Sequence, residues 1–276
     1  MVDTDTGYVI PTLGSRPDWL CACLASVLAQ PEVAKVVVVA PEGSKDLAIG
    51  PNERVVFVRD SDRGLSAAIN DGMDRLSTEA KVRFVSWLGD DDLLAPGAVG
   101  AARAALMRSP NAGFAFGRVR YIDEKGVPMW LLRPGRWALW YSRWGRNFIQ
   151  QPGSLIRLSA WKSVGGLDEA LQNSMDQDLF LHIARDYESI YVPRELAAYR
   201  IHSASISSQK GTRDESVIVG DRYRRDEGAP KSATSRAAIR VTDRFLLSAH
   251  KRIPGPSVPL VHGLPYTMGG PVRECE

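Results

Sequence analysis

The chain has 276 residues, 44% of them hydrophobic, which is enough for one large α/β domain, or a domain with an appendage, around a sizeable core. Its formal net charge is only +3, too mild for the clustered basic stripe of a nucleic-acid binder, so no nucleic-acid partner is expected.

The opening stretch, residues 1 to 12, lacks a basic region followed by an apolar run, so no signal peptide is expected. No segment approaches the roughly 18 apolar residues that cross a bilayer. A cytoplasmic location is therefore the default. Tyr8-Val9-Ile10 reads as a short strand ending at Pro11-Thr12. Trp19 to Ala29 reads as a helix, with Leu20, Leu24, Val27 and Leu28 at helical spacing. Cys21 and Cys23 lie within it; with Cys275 they form neither a zinc pattern nor a disulfide framework, and the pair reads as buried thiols of a reducing compartment. Lys35 to Ala40 is a β-branched run between Pro31 and Pro41, the pattern of a parallel strand covered on both faces. Val55 to Val58 is a third strand, Leu65 to Leu76 a helix opened by Gly64, Val82 to Leu88 a fourth strand, and Pro96 to Met107 an alanine-rich helix.

This alternation predicts a Rossmann-like, mostly parallel sheet flanked by helices. Ligands on such sheets bind beyond the carboxyl ends of the strands. Pro11-Thr12, Ala40-Pro41-Glu42 and Gly89-Asp90-Asp91-Asp92 all fall there. Farther on, Phe114 to Val119 and Tyr121 to Trp130, turning at Glu124-Lys125-Gly126, predict added strands. Residues 130 to 150 are dense in Trp and Arg. Ser174 to Arg185 predicts a helix, with Ser174-Met175-Asp176-Gln177 matching the capping-box pattern. Residues 210 to 235 read as a loose helix or linker, Ala237 to Lys251 as a basic amphipathic helix, and the Pro/Gly-rich end as an irregular tail.

Four constellations carry candidate chemistry. The run Asp90-Asp91-Asp92 repels itself, and a hard divalent ion bound with substrate phosphates would give it a purpose; a solvated acidic turn capping the next helix is the other reading. Asp62-Arg63-Gly64-Leu65-Ser66 opens a helix whose N–H groups suit a phosphate or ribose, against an ordinary βα turn. Asp176 and Asp178 stand in a helical first turn, favoured there by the dipole alone, or one of them is a general base. His202 is a structural histidine or completes a metal or phosphate site.

Taken in order, Ile10-Pro11-Thr12, Asp62-Arg63-Gly64-Leu65-Ser66, Leu88-Gly89-Asp90-Asp91-Asp92-Leu93-Leu94, Gln151-Pro152-Gly153-Ser154, Gly165-Gly166-Leu167-Asp168, Met175-Asp176-Gln177-Asp178-Leu179 and Tyr199-Arg200-Ile201-His202 resemble the family-2 glycosyltransferases of GT-A fold. The likeness is greatest to bacterial members that build exopolysaccharide and lipid-linked oligosaccharides, and it covers roughly residues 7 to 208. It implies a GT-A domain over 1–208, with a nucleotide-binding half near 7–110 and an acceptor half near 111–208. Residues 209–276 would then form a helical and irregular extension.

The resemblance further implies an inverting transfer from a nucleoside-diphosphate sugar to a saccharide or lipid-linked acceptor, with Mg²⁺ or Mn²⁺. Asp176 takes the place of the catalytic base. Asp91, Asp92 and His202 fall at the metal, with Asp91 the foremost ligand. Pro11, Thr12, Glu42, Asp62, Arg63, Ser66 and Asp90 fall around the nucleotide. Two departures stand out. Ala40-Pro41-Glu42-Gly43-Ser44 replaces the usual Asp-Asp-Gly-Ser, leaving Glu42 in place of the base-reading Asp. Gly89 replaces the usual first Asp of the metal motif.

Two other readings of the fold are a catalytically silent nucleotide-sugar or carbohydrate-binding homologue, and a nucleotidyltransferase. Retention of Asp91 and Asp176 argues against the first. The second requires a Gly-rich basic loop after the first strand, of which Leu13-Gly14-Ser15-Arg16-Pro17 is a faint version. The Trp/Arg stretch at 130–146 suits sugar stacking at an acceptor site, or core aromatics with a basic face. The basic helix at 237–251 suits peripheral docking at the inner face of the membrane, or packing on the domain or a homodimer partner.

Overall fold

Val36, Val37, Val38 and Val39 have no polar face to offer water, and all four are fully buried. In the computed structural model, which describes residues 3–44, 52–144, 147–203 and 212–226, this run lies in β2 (Val33–Ala40). It is flanked by β1 (Thr6–Pro11) and β3 (Val55–Arg59), and β4 (Phe84–Trp87) lies on the far side of β1; all three pairings are parallel.

Alternate residues of this sheet serve two cores, as the period of 2 requires. Val9, Val37 and Val39 pack with Ile69, Met73 and Leu76 of α2 (Leu65–Ser77). Tyr8, Ile10, Val36 and Val38 pack with Leu20, Leu24 and Val27 of α1 (Pro17–Leu28). The parallel α/β half is thus as the sequence predicts, with ends shifted by one or two residues.

The other half departs from simple alternation. After β4 come the two-residue β5 (Leu93–Leu94) and α3 (Ala98–Arg108), then one long strand β6 (Ala112–Ile122) where two shorter ones are expected. The expected turn does form: Asp123 Oδ1 accepts the N–H groups of Lys125 and Val127, and β7 (Pro128–Leu132) returns along β6. Next are α4 (Ala138–Ser142), β8 (Ser154–Arg157), α5 (Leu158–Val164), α6 (Met175–Ile183), β9 (Glu188–Arg200) and α7 (Thr212–Asp226).

The sheet runs β3-β2-β1-β4-β8-β6-β9-β5, with β8 antiparallel between β4 and β6, and with β6 and β9 parallel. Pairing of Leu93 with Ala198 and Leu94 with Ala197 brings the end of β9 beside the turn that follows β4. That crossing positions the site.

Within 209–276, α7 is no loose linker: Val219 and Tyr223 are buried in the same core as Leu179 and Phe180 of α6. Cys23 is buried as expected, whereas Cys21 is half-buried. The expected helix at 237–251 and Cys275 lie outside the described residues. Among the described residues, no helix is long and apolar enough to cross a membrane.

Gly72 lets α2 sit directly on the sheet: a Cβ there would come within 2.5 Å of Val9 and 3.0 Å of Val39. Gly72→Ala is expected to destabilise the fold by about 1–3 kcal/mol, the usual cost of overpacking, read as a lowered urea midpoint at unchanged m.

Candidate active site

The acidic run lies in a tight turn. Leu88 N donates to Val9 O, so the chain leaves the sheet beside β1, and Asp92 N donates back to Gly89 O. The three carboxylates then take different surroundings. Asp90 is buried and accepts the Thr12 hydroxyl at 2.5 Å. Burial pushes its carboxyl above the ordinary range, while the Thr12 hydrogen bond pulls it back. Asp92 is buried, and its Oδ1 accepts the Arg200 backbone N–H at 2.9 Å. Burial and the neighbouring Asp91 push it well up, against the Arg200 N–H and guanidinium.

Asp91 alone of the three faces outward. Its Oδ2 lies 2.6 Å from His202 Nε2 and 3.4 Å from Arg16 Nη1, and Arg16 Nη1 lies 2.8 Å from the same imidazole nitrogen. Trp19 backs this group. The Arg16 and Arg200 guanidinium carbons stand 5.1 and 5.0 Å from its ring, and the His202 ring centroid is 5.1 Å away.

Gly89 accounts for the departure at that position: a Cβ there would lie 2.7 Å from Asp91 Oδ1, in the space the outward carboxylate uses. Arg200 is among the largest fully buried side chains. Its Nε donates to Asp91 O, and its Nη1 donates to Asp123 O and Glu124 O.

Asp176 stands in the first turn of α6, half-buried. Its Oδ2 accepts Asn147 Nδ2 at 3.0 Å, and its Oδ1 accepts the Gln177 N–H at 2.7 Å. Burial pushes its carboxyl up to about 7 against those bonds. The capping box expected from Ser174 to Gln177 does not form: Ser174 makes no side-chain cap, and Gln177 turns instead to Ser142 O and Ser216. Gln177 finds better-placed partners across the interface than at its own helix end. Asp178 is buried and tied to Arg222 and the Tyr223 hydroxyl, at 2.8 and 3.1 Å.

Gln151 links the two parts of the site. Its Nε2 donates to Trp87 O at the end of β4, four residues beyond Asn147 in the chain.

The remaining expected residues scatter. Pro11 is buried at the end of β1 beside Thr12. Glu42 is exposed and pairs with Arg59. Arg63 pairs with Asp71 and Glu169, Asp62 sits exposed at φ 57°, and the Ser66 hydroxyl donates to Leu171 O. Thr12, Asp90, Asp91, Asp92 and His202 are therefore brought together, whereas Glu42, Asp62, Arg63 and Ser66 make their contacts elsewhere.

Arg16, Trp19, Arg200 and Asn147 are members that sequence reasoning did not single out. Position offered one signal, since Arg16 follows closely on the carboxyl end of β1.

Among the described residues, no group of three or more His, Cys, Asp or Glu side chains is placed to hold a metal ion. The donor set is the partly exposed Asp91 carboxylate and the buried His202 imidazole behind it. It fits Mg²⁺ or Mn²⁺ bound through few protein ligands together with substrate phosphates.

A family model described as Glycosyl transferase family 2 matches residues 8–163, more than half of the chain. Similar curated proteins include an uncharacterized glycosyltransferase of Rickettsia felis, 23% identical over 81% of this chain and 35% of its own length. Another, from Rickettsia typhi, is 24% identical over 72% of this chain and 65% of its own. The chain thus spans from about a third to about two thirds of these relatives. Among solved structures, S. aureus TarS 1–349 in complex with UDP-GlcNAc has a TM-score of 0.55 at 14% identity, covering 74% of this chain and 61% of that one. TarS 1–349 in complex with UDP has a TM-score of 0.52 at 14% identity, covering 71% and 60%. At such identity the likeness establishes a shared α/β fold of GT-A type.

The two arginines of the site differ in burial, and their substitutions should differ too. Arg200→Ala takes a donor from the carbonyls of Asp91, Asp123 and Glu124 and removes a buried charge from Asp92, so a loss of about 3 kcal/mol or more is expected. Arg16→Ala removes a partly exposed pair and should cost under about 1 kcal/mol. Urea unfolding of both variants measures the contrast.

Proposed function

The chain belongs to glycosyl transferase family 2 and is a glycosyltransferase, and from that premise we propose an inverting transfer from a nucleoside-diphosphate sugar to a hydroxyl of a saccharide or lipid-linked acceptor. The carrying observation is the pairing of two unlike carboxylates. Asp91, beside the His202 imidazole, is outward-facing and paired with the Arg16 guanidinium. Asp176 is half-buried and holds its proton up to about 7.

The donor's diphosphate lies against the Arg16–Asp91–His202 group, and its nucleoside lies toward Pro11, Thr12 and Asp90. The UDP-GlcNAc and UDP in the TarS complexes make these the first ligands to try. Asp91 and His202 would hold a divalent ion, which when bound would supply charge stabilisation for the departing diphosphate. Asp90 and Asp92 hold the turn through Thr12 and Arg200.

Asp176 accepts the acceptor hydroxyl's proton. The freed oxygen attacks the anomeric carbon from the face opposite the diphosphate. As that C–O bond forms, the bond to the diphosphate oxygen breaks, and the nucleoside diphosphate leaves with the electron pair. Asn147 orients the base, and its N–H donor favours the ionised form that the reaction needs. The exposed Trp137 and Trp140 of the Trp/Arg stretch form the acceptor side, as stacking platforms for a sugar ring. Arg63, Asp62 and Ser66 serve the loop that precedes α2.

Thermal-shift measurements with nucleoside diphosphates and their sugars, with and without Mn²⁺, test donor binding, because ligands of the folded state raise its midpoint. Asp91→Ala should weaken the Mn²⁺-dependent part of that shift about tenfold or more in donor concentration; an unchanged Mn²⁺ titration removes Asp91 from the site.

Asp176→Asn should lower kcat by on the order of a hundredfold to ten-thousandfold while leaving donor binding near wild type. Since the base acts ionised, wild-type kcat should rise with pH through about 7. The same carboxyl sets a stability slope. Folded Asp176 keeps its proton to about 7, whereas an unfolded Asp loses it near about 4, so between these values the folded state binds more protons and stability falls as pH rises. Asp176→Asn should remove that slope and melt higher than wild type above about pH 7, measured by thermal midpoints across the window.

A further inference from the structure

α7 lies beyond the residues matched by the family model, yet it grips the chain on both sides of Asp176. The Glu215 carboxylate accepts three successive backbone N–H groups, those of Gln172, Asn173 and Ser174, at 2.9, 2.6 and 2.6 Å. It thereby supplies from outside the anionic cap that Ser174 does not make.

One residue after Asp176, Gln177 is held in both directions: its Nε2 donates to Ser216 O, and its Oε1 accepts the Ser216 hydroxyl. Asp178 is held by Arg222 and Tyr223. A further contact reaches the stretch leading to Asn147: Arg224 Nη1 donates to Arg143 O at 2.7 Å, and the Arg224 guanidinium lies 4.9 Å from the Trp144 ring. α7 therefore touches the approach to Asp176, the turn after it, and the approach to its hydrogen-bond donor. Asp176 itself stays half-exposed.

From this arrangement we infer that α7 is part of the transferase machinery, with Glu215 and Ser216 as positioning residues that set the direction of the Asp176 carboxylate. The inference rests on reading Asp176 as the base. A carboxylate bridging three consecutive N–H groups fixes the backbone of the turn more tightly than apolar packing does, because its bonds are charge-assisted and directional. Misplacing a catalytic group by about an ångström costs on the order of a hundredfold in rate.

Glu215 also leaves a mark that a merely structural residue would not. Among the described residues, the charged and titratable groups on the elements packed around Asp176 include Arg118, Arg120 and Tyr121 on β6, Tyr141 and Arg143 at the α4 end, Lys162 on α5, Asp178 and His182 on α6, and Glu215, Asp221, Arg222, Tyr223 and Arg224 on α7. Of these, Glu215 exerts the strongest charge effect on Asp176, and it raises the carboxyl's proton affinity.

The test compares full-length wild type with Glu215→Gln, Glu215→Ala, Ser216→Ala and Asp176→Asn. The readout is release of nucleoside diphosphate from UDP-GlcNAc, or from whichever nucleotide sugar of the thermal-shift panel gives turnover. Expected for Glu215→Gln is a fall in kcat of about tenfold or more at unchanged donor KM, with the acid limb of the pH–rate profile displaced to lower pH. Ser216→Ala should lower kcat in the same sense with the pH limb unmoved. If Glu215→Ala does not fold, Glu215→Gln, which keeps the side-chain volume, decides the matter. Wild-type kcat and pH limb in Glu215→Gln, beside an inactive Asp176→Asn, overturn this inference alone. An active Asp176→Asn overturns the base assignment and this inference with it.

Discussion

Burying a guanidinium is costly unless every donor finds an acceptor and the charge finds a counter-charge. Arg200, at the end of β9, finds carbonyl acceptors for its Nε and Nη1 and counter-charge in Asp91 and Asp92. Its side chain reaches the carbonyls of Asp91, Asp123 and Glu124, its N–H reaches the Asp92 carboxylate, and the Trp19 face covers it. The short β5–β9 ladder puts it there. Because the acidic turn, the β6–β7 hairpin turn and α1 all meet at this one residue, the outward direction of Asp91 depends on it. The two adjacent carboxylates are taken up by that framework, so three like charges in a row become two internal acceptors and one outward group.

The molecule thus treats its carboxylates in two ways. At the turn after β4, the guanidinium groups of Arg16 and Arg200 bring positive charge to Asp91 beside the His202 imidazole, an environment suited to a diphosphate. At the start of α6, burial outweighs the hydrogen bonds from Asn147 and the Gln177 N–H and leaves Asp176 with its carboxyl pushed up to about 7. A carboxylate with raised proton affinity is a better proton acceptor near neutrality, and its cost in stability is carried by the surrounding core. Carboxylates of unlike character on two separate elements suit a reaction in which charge leaves at one place and a proton at another.

The family match ends at residue 163, before α6, β9 and α7. Those later elements nevertheless supply His202, Arg200 and Asp176. The Asp90–Asp92 group lies in one short turn, whereas the surroundings of Asp176 depend on contacts between elements far apart in the chain. Gln151, reaching to Trp87 O, is one of several polar ties between the halves, with Arg200 to Asp91 and Asp92 and Ser66 to Leu171 among the others.

The sequence by itself determined the parallel sheet, because a β-branched run bounded by Pro31 and Pro41 follows the helical spacing of Leu20, Leu24 and Val27, and strands and helices go on alternating after it. It also determined that Asp90–Asp92 and Thr12 fall at strand ends, since the alternation of strands and helices leaves no other place for them. Tertiary structure alone decided which carboxylate faces outward, because Arg200 lies 109 residues from Asp91, and local pattern carries no information about such a pairing. It likewise set aside the capping box at Ser174–Gln177, whose local signal lost to Glu215 and Ser216 on a segment that composition had marked as a loose helix or linker. Local periodicity fixes faces and ends; the partners of a polar side chain are fixed by which elements the cores bring together.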